Sequence, residues 1–305
     1  TFGGIPADSI VVVDDTTITV TTPELTIGEF DVVVTTTGGS ATATSGFRAF
    51  GIPTVTSVSP ARLPLAGGTV TVTGSNLAGV TTVSFGTVDV TAFATVTDTS
   101  IVVVAPALPA ATTVDVTVTT PGGESDITGT TNDLRYVAGP TITTVSPTVG
   151  PLTAGTAVTI TGTNFVGVTS VTFDGAAATD VVASTETTLT VKAPGHLSAA
   201  AVDVVVTAVG GTTTAPNAFR YFDVPAVADV APVDGPLEAG TPVTITGTNL
   251  DGVTSVTFGG VAATDVTVVD DNELTVSAPA ADTSGAVHVV VTTPGGTSTE
   301  SADIL

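Results

Sequence analysis

Apolar and polar residues alternate with a period of two through most of the chain. Between Val243 and Thr246, for example, Val243 and Ile245 alternate with two threonines. Successive side chains of a strand point to opposite faces of a sheet, so the alternation predicts strands with one buried face. About seven short strands with a turn signal every ~8–12 residues are predicted within each stretch of roughly 85 residues, which is typical of an all-β sandwich.

The same pattern returns at a fixed interval. The segment GTVTVTGSNLAGVTTVSFG, which contains Asn76, recurs around Asn164 and Asn249, in steps of 88 and 85 residues. Units of this length are long enough to bury a core of their own, unlike solenoid repeats of ~20–50 residues. The sequence therefore predicts an incomplete first module that lacks its leading strands and three fuller modules, with the boundaries 1–51, 52–139, 140–223 and 224–305.

The repeated motif resembles a known domain family. The stretch GTPVTITGTNLDGVTSVTF, with a proline-rich lead-in such as ITTVSPTVGPLTAG, is similar to the IPT/TIG domain. The resemblance implies immunoglobulin-like sandwiches of the kind found in plexins, some transcription factors and many bacterial surface proteins. A shared fold does not define a function, because function depends on sites added to the fold.

Short linkers join successive modules. They read Phe50-Gly51-Ile52-Pro53, Val137-Ala138-Gly139-Pro140 and Phe222-Asp223-Val224-Pro225. Proline fixes its own φ and restricts the residue before it, so these segments differ from flexible Gly/Ser tethers. We expect modules placed end to end with restricted bending, as in a rod.

Composition narrows the possible functions. With 28 acidic and 5 basic residues, the net charge of −23 disfavours nucleic acid and anionic membranes as partners. The absence of cysteine excludes a disulfide framework and thiolate metal sites. With no Trp and two Tyr, the chain offers no aromatic platform for sugars. No apolar run is long enough to span a bilayer. The start at Thr1, without an initiator Met or a signal peptide, suggests a processed product or part of a longer protein.

Residues suited to catalysis are few. The two histidines, His196 and His288, lie outside any recognisable catalytic or phosphate-binding motif, and both are interpreted as solvated surface residues. We therefore predict no enzymatic activity and no cofactor. Acidic residues in turns and near a linker are interpreted as solvated turn residues, and calcium binding is the alternative, because Ca²⁺ takes six to eight oxygen ligands. No EF-hand loop is present. The candidate carboxylates are Asp14, Asp15, Asp270, Asp271, Asp223, Asp229 and Asp234.

Two residue types recur at fixed repeat positions. Asn76, Asn164 and Asn249 each follow a Gly-Ser or Gly-Thr pair, and we interpret them as residues that organise the same turn in every module. Arg48, Arg135 and Arg220 stand at the ends of modules, where we expect an ion pair with a carboxylate within or between modules. An exposed pair contributes only ~0–1 kcal/mol, so its expected role is orientation.

These features favour a structural protein of the cell surface, a stiff stalk or extracellular filament whose partners are copies of itself or other surface proteins. Alternatives are an adhesin or receptor ectodomain with a ligand-binding loop, a virion fibre or tail component, and an accessory region of a secreted enzyme. For the adhesin, the most variable loops, 105–113 and 194–201, are the candidate binding loops.

Overall fold

The computed structural model describes residues 1–127 and 129–299. These residues form β-strands and turns without any helix, which confirms the all-β prediction. None of them forms a helix long and apolar enough to cross a membrane. The chain divides into two compact units, Thr1–Ala138 and Gly139–Leu305, and each is described by itself. The names modules 1 to 4 follow the predicted ranges.

Module 1 consists of two antiparallel hairpins. Its strands are Ser9–Asp14 (β1), Thr17–Thr21 (β2), Gly28–Thr36 (β3) and Gly39–Ala49 (β4). β1 pairs with β2, and β3 pairs with β4. Ile18 and Val20 on β2 remain 40% and 41% exposed. No further strand pairs with β2 in the described part of the chain.

Module 2 is a two-sheet sandwich. Its first sheet has the order β10-β11-β7-β5, and its second has the order β6-β14-β12-β8-β9 with β13 paired to β12. The strands are Thr54–Ser59 (β5), Arg62–Pro64 (β6), Gly68–Ser75 (β7), Thr82–Phe85 (β8), Val88–Val90 (β9), Phe93–Val96 (β10), Ser100–Ala105 (β11), Thr112–Thr120 (β12), Gly123–Glu124 (β13) and Asp133–Val137 (β14).

Module 3 repeats this plan. Its sheets have the orders β15-β17-β21-β20 and β16-β23-β22-β18-β19. The strands are Thr141–Ser146 (β15), Val149–Pro151 (β16), Ala157–Thr163 (β17), Ser170–Phe173 (β18), Ala176–Ala177 (β19), Thr179–Thr185 (β20), Thr188–Lys192 (β21), Ala200–Ala208 (β22) and Gly211–Phe222 (β23). Module 3 therefore has nine strands where about seven were expected, because short edge strands such as β16 and β19 add to the main ones.

Module 4 has the sheets β24-β25-β29-β28 and β27-β26-β30-β31. Its strands are Ala226–Ala231 (β24), Pro242–Thr248 (β25), Ser255–Phe258 (β26), Val261–Ala262 (β27), Thr264–Asp270 (β28), Glu273–Ser277 (β29), Val289–Thr293 (β30) and Gly296–Thr297 (β31). The predicted end of this module, at residues 300–305, lies outside the described residues.

Each core is built from the alternating apolar positions. In module 4, Val243 and Ile245 are 5% and 0% exposed and pack with Val289 and Val291 of the opposite sheet. Burying such a side chain contributes about 1.5–3 kcal/mol, so the two sheets are held together chiefly by these contacts. Modules 2 and 3 have separate cores of the same kind.

Gly247 lies inside a strand, β25, which ends at Thr248. A Cβ at Gly247 would overlap the carbonyl oxygen of Ala226 on the neighbouring strand, and Gly74 and Gly162 meet Thr54 and Thr141 in the same way. Glycine is therefore required here for close approach of two strands.

In modules 2 and 3 the first strand changes sheet after a proline. β5 and β15 end just before Pro60 and Pro147, and the short strands β6 and β16 that follow pair parallel with the last strands, β14 and β23. The beginning and the end of each of these modules are therefore hydrogen-bonded side by side.

Candidate functional sites at the module junctions

The linker in the second unit is packed into the module that follows it. The ring of Phe222 lies against Gly252, where an added Cβ would be 2.7 Å from the ring. Gly295, in the last hairpin turn of module 4, lies so close to the linker that an added Cβ would overlap the carbonyl oxygen of Asp223. Two glycines thus make the space in which this linker is held.

The first unit has the same arrangement between modules 1 and 2. A Cβ at Gly79 would be 2.6 Å from the ring of Phe50, and one at Gly122 would overlap the carbonyl oxygen of Gly51. Gly79 and Gly122 occupy the repeat positions of Gly252 and Gly295. Both junctions are therefore built by the same residues of the repeat.

The recurring asparagines connect each linker to the loop that follows the second main strand. All three adopt a left-handed backbone, with φ of 56°, 58° and 57° for Asn76, Asn164 and Asn249. Their side-chain amides donate to linker carbonyl oxygens at 3.0 Å in each case, namely those of Ile52, Gly139 and Val224. The bond to the linker was not foreseen from the sequence. The nearly constant separation between each asparagine and its linker was the available signal.

Arg220 contacts a carboxylate of the following module. Its guanidinium lies 2.7 Å from the carboxylate of Asp251 in the next module and 4.5 Å from the ring centre of Phe222. Both charged side chains are about half exposed, 48% and 43%. Arg220 thus connects module 3 to module 4 by an ion pair and a cation–π contact.

The other two arginines have different surroundings. Arg48 lies 4.7 Å over the ring of Phe50, and the repeat position of Asp251 is Ala78 in module 2. Arg135 lies on β14, where its register partners are Thr113 and Arg62. The cation–π contact is therefore seen at both described junctions, and the ion pair with Asp251 belongs to the second unit.

The acidic calcium candidates act mainly as turn residues. Asp14 accepts hydrogen bonds from the backbone N–H and the hydroxyl of Thr16, both 2.8 Å, and these bonds lower the pKa of Asp14. Asp270 accepts from the backbone N–H of Asn272 at 2.7 Å, and Asp15 lies in the turn that directly follows Asp14.

The remaining candidates are dispersed. Asp271 accepts from the N–H of Asp251 at 3.3 Å, and Asp223 from the N–H of Val224 at 2.8 Å. Asp229 lies on β24 and Asp234 in the loop after it. Within 1–127 and 129–299, no three carboxylates or histidines come together as a metal would require.

The interpretation of His196 as a solvated residue is wrong. Its side chain is only 16% exposed and stacks on Tyr221 with ring centres 4.8 Å apart. Sequence reasoning missed this contact because the two residues belong to a loop and to a distant strand. His288 is half-buried, and its carbonyl oxygen accepts a hydrogen bond from the N–H of Gly259.

A cavity of about 550 Å³ lies in module 4, lined by apolar residues such as Val243, Phe258 and Pro279. In modules 2 and 3, the prolines at the repeat position of Pro279 are covered by Tyr136 and Tyr221, whose hydroxyls donate to their carbonyl oxygens at 2.9 and 2.7 Å.

Comparison with known proteins supports the fold. The IPT/TIG domain model matches residues 1–49, 53–136, 140–221 and 225–304. No curated protein is similar in sequence.

Similar solved structures include the full extracellular region of plexin A4, with 20% identity over 79% of this chain and a TM-score of 0.41. The chain spans 23% of that protein. SGBP-B from a complex xyloglucan utilization locus in Bacteroides uniformis is 25% identical over 54% of this chain and 48% of its own, with a TM-score of 0.26. The I9–I11 tandem of titin is 11% identical over 78% of this chain and 92% of its own, with a TM-score of 0.27. At such scores the family assignment rests on the four domain matches, which together cover nearly the whole sequence. The chain belongs to the IPT/TIG domain family.

Proposed function

We propose that this chain is a non-enzymatic structural repeat region of an extracellular surface protein, which acts as a stiff stalk or as a filament building block. The observation that carries the proposal is the set of contacts that hold the linker at each described junction. In both units, an asparagine amide of the following module donates to a linker carbonyl oxygen, and two glycines of that module make room for the linker backbone and its phenylalanine ring.

The physical reason for stiffness is that the linker is part of the folded structure. A free linker samples many backbone conformations, whereas each of these linkers has a carbonyl oxygen that is hydrogen-bonded by the next module. Phe222 packs against Gly252 on one side and lies under the guanidinium of Arg220 on the other. Bending at this junction would break several contacts at once.

The features that recur from module to module support a structural role. They are core positions, turns and linker contacts, which maintain a fold and its spacing. The net charge of −23 favours protein partners over nucleic acid. We propose that the partners are copies of this chain or other surface proteins, and that the location is extracellular, at the cell surface.

The proposal can be tested by spin labelling, because the chain has no native cysteine. Cysteines replace Thr190 on β21 of module 3 and Thr267 on β28 of module 4, both exposed, and pulsed dipolar spectroscopy gives the distribution of label distances. The matched control pair, Thr190 with the exposed Thr214, lies within module 3. A stiff stalk predicts distributions of similar width for both pairs. A junction pair several times broader than the control would overturn the proposal.

The ion pair is tested in the same experiment with Asp251→Ala, which introduces the residue that module 2 has at this position, Ala78. If the pair orients the modules, the junction distribution broadens while the control pair is unchanged. An unchanged junction distribution would assign the orientation to the linker contacts alone.

A further inference from the structure

Module 3 differs from its sister modules at two loop positions that contact each other. The first is His196, whose repeat equivalents are Leu108 in module 2 and Ala281 in module 4. The backbone is the same in all three modules: the N–H groups of Leu108, His196 and Ala281 donate to the carbonyl oxygens of Leu65, Leu152 and Leu237, at 2.8, 2.9 and 2.9 Å. Histidine thus replaces an apolar residue on an unchanged backbone.

The second position is Asp174. It has φ of 48°, in the left-handed region, where the equivalent residues are Gly86 and Gly259 with φ of 60° and 54°. A residue with a side chain is less favourable than glycine in this conformation. The carboxylate that it adds lies 3.3 Å from Nε2 of His196. Two departures from the repeat therefore meet in one contact.

The other ring nitrogen faces the backbone of Ser198. Nδ1 lies 2.6 Å from the carbonyl oxygen of Ser198 and 3.4 Å from its N–H. A carbonyl oxygen only accepts hydrogen bonds, so the 2.6 Å contact is a hydrogen bond only when Nδ1 carries a proton, whereas the N–H of Ser198 can donate to Nδ1 only when that nitrogen carries none. The Asp174 carboxylate requires a proton on Nε2 for the same reason. Only the imidazolium, which carries both protons, satisfies both contacts.

Deprotonation of the His196 imidazolium changes its hydrogen bonding to Ser198. The carboxylate of Asp174 keeps the remaining proton on Nε2, so the proton that leaves is the one on Nδ1. The lone pair of Nδ1 would then face the carbonyl oxygen of Ser198, which is repulsive, while the N–H of Ser198 is a donor that it can accept. The carbonyl group of Ser198 is thus expected to turn away from the ring when Nδ1 is deprotonated, and the N–H of Ser198, which lies 3.4 Å from Nδ1, becomes the donor to it.

We propose that His196 is a protonation-controlled switch for the loop of residues 194–199. In the acid form, His196 holds the carbonyl oxygen of Ser198; in the neutral form, it accepts from the N–H, and the loop changes conformation. The titratable groups that face the ring are Asp174 and Tyr221. Leu197, at the tip of the loop, is fully exposed (101%), so the switch moves an apolar side chain on the surface.

The test is an NMR titration of the full chain from acid to mildly alkaline pH. Long-range nitrogen–proton spectra report the protonation of each ring nitrogen of His196, and backbone amide shifts of Leu197 and Ser198 report the loop. We expect the loop amides to shift together with the loss of the Nδ1 proton, while Nε2 stays protonated. The equivalent loop of module 2, at Leu108, is the internal control and should not respond.

Three variants take their residues from the sister modules and so suit the fold. His196→Leu and His196→Ala, from modules 2 and 4, should abolish the loop response. Asp174→Gly should reduce it, because the neutral ring can then keep its proton on Nδ1 and its bond to Ser198. Loop amides that ignore the ring titration in the wild-type chain, or that respond equally in Asp174→Gly, would overturn the proposal.

Discussion

The side-chain amide of Asn249 donates a 3.0 Å hydrogen bond to the carbonyl oxygen of Val224, which precedes it by 25 residues. Val224 belongs to the linker, and Asn249 belongs to a loop of module 4 with a left-handed backbone. One residue therefore both shapes a turn and connects the linker to the module.

Substitutions separate these two roles. Asn249→Gly keeps the left-handed backbone and loses the amide, which should cost about 1 kcal/mol of module 4 stability. Asn249→Ala also places a Cβ residue in the left-handed region and should cost about 1–2 kcal/mol more. The rate of hydrogen exchange at a core amide such as that of Ile245 measures the loss of stability in each of the two variants. Asn76→Gly, in module 2, is the control and should leave this amide unaffected; equal effects of Gly and Ala would contradict the strain argument.

Two hairpin glycines lie so close to a linker that their replacement by alanine should destabilise the junction. Gly122→Ala and Gly295→Ala place a Cβ against a linker carbonyl oxygen, so each should displace the linker and destabilise its junction, by an amount on the order of 1–3 kcal/mol. Gly38→Ala, at the same repeat position of module 1, meets only the Thr36 hydroxyl at 3.6 Å and should be tolerated.

Thermal unfolding and the label distances described above would measure these effects. Gly285, with nothing within 4 Å of its Cβ position, provides a second control. Comparable losses for Gly38→Ala and Gly295→Ala would show that the linker contact is not the cause.

The buried tyrosines predict a loss of stability at alkaline pH. Burial raises the pKa of Tyr221 to about 12 and raises that of Tyr136 above its usual value. An unfolded tyrosine ionises near pH 10, so the contribution of Tyr221 to stability is complete below about pH 10 and is lost as the pH rises toward 12. Phenolate absorbance and denaturant unfolding should both show this window.

Tyr221→Phe provides the control for that experiment. It removes the hydrogen bond to Pro194, at a cost of about 1 kcal/mol at neutral pH, and also removes the alkaline loss that arises from module 3. Ionisation of Tyr221 near pH 10 with the fold intact would contradict the assignment of a buried hydroxyl.

Calcium is predicted to have no effect on stability. The candidate carboxylates cap turns or lie apart in the described residues, and a ligand stabilises only if it binds the folded state more tightly than the unfolded one. Unfolding temperatures with added Ca²⁺ and with EDTA should therefore agree. If Ca²⁺ raised the unfolding temperature and Asp270→Asn abolished that increase, the prediction would be wrong and Asp270 would be a calcium ligand.

The sequence was informative where the physical signal is local or periodic. The alternation around Val243 predicts a buried strand face because the pleat has a period of two, and the repeat at Asn76, Asn164 and Asn249 predicts the same turn in each module. It could not predict the bond from Asn249 to Val224 or the contact of His196 with Asp174 and Tyr221. Such contacts join loops to distant parts of the chain, and their geometry depends on the folded backbone.

The parallel pairing of β6 with β14 and of β16 with β23 has a mechanical consequence. The second strand of each of these modules, close to the point where the chain enters, runs parallel beside the strand by which the chain leaves. A force that pulls on the two ends therefore slides the paired strands along each other and loads their hydrogen bonds together, whereas a hairpin opens one bond at a time. We expect modules 2 and 3 to resist extension well beyond the resistance of the β1–β2 hairpin.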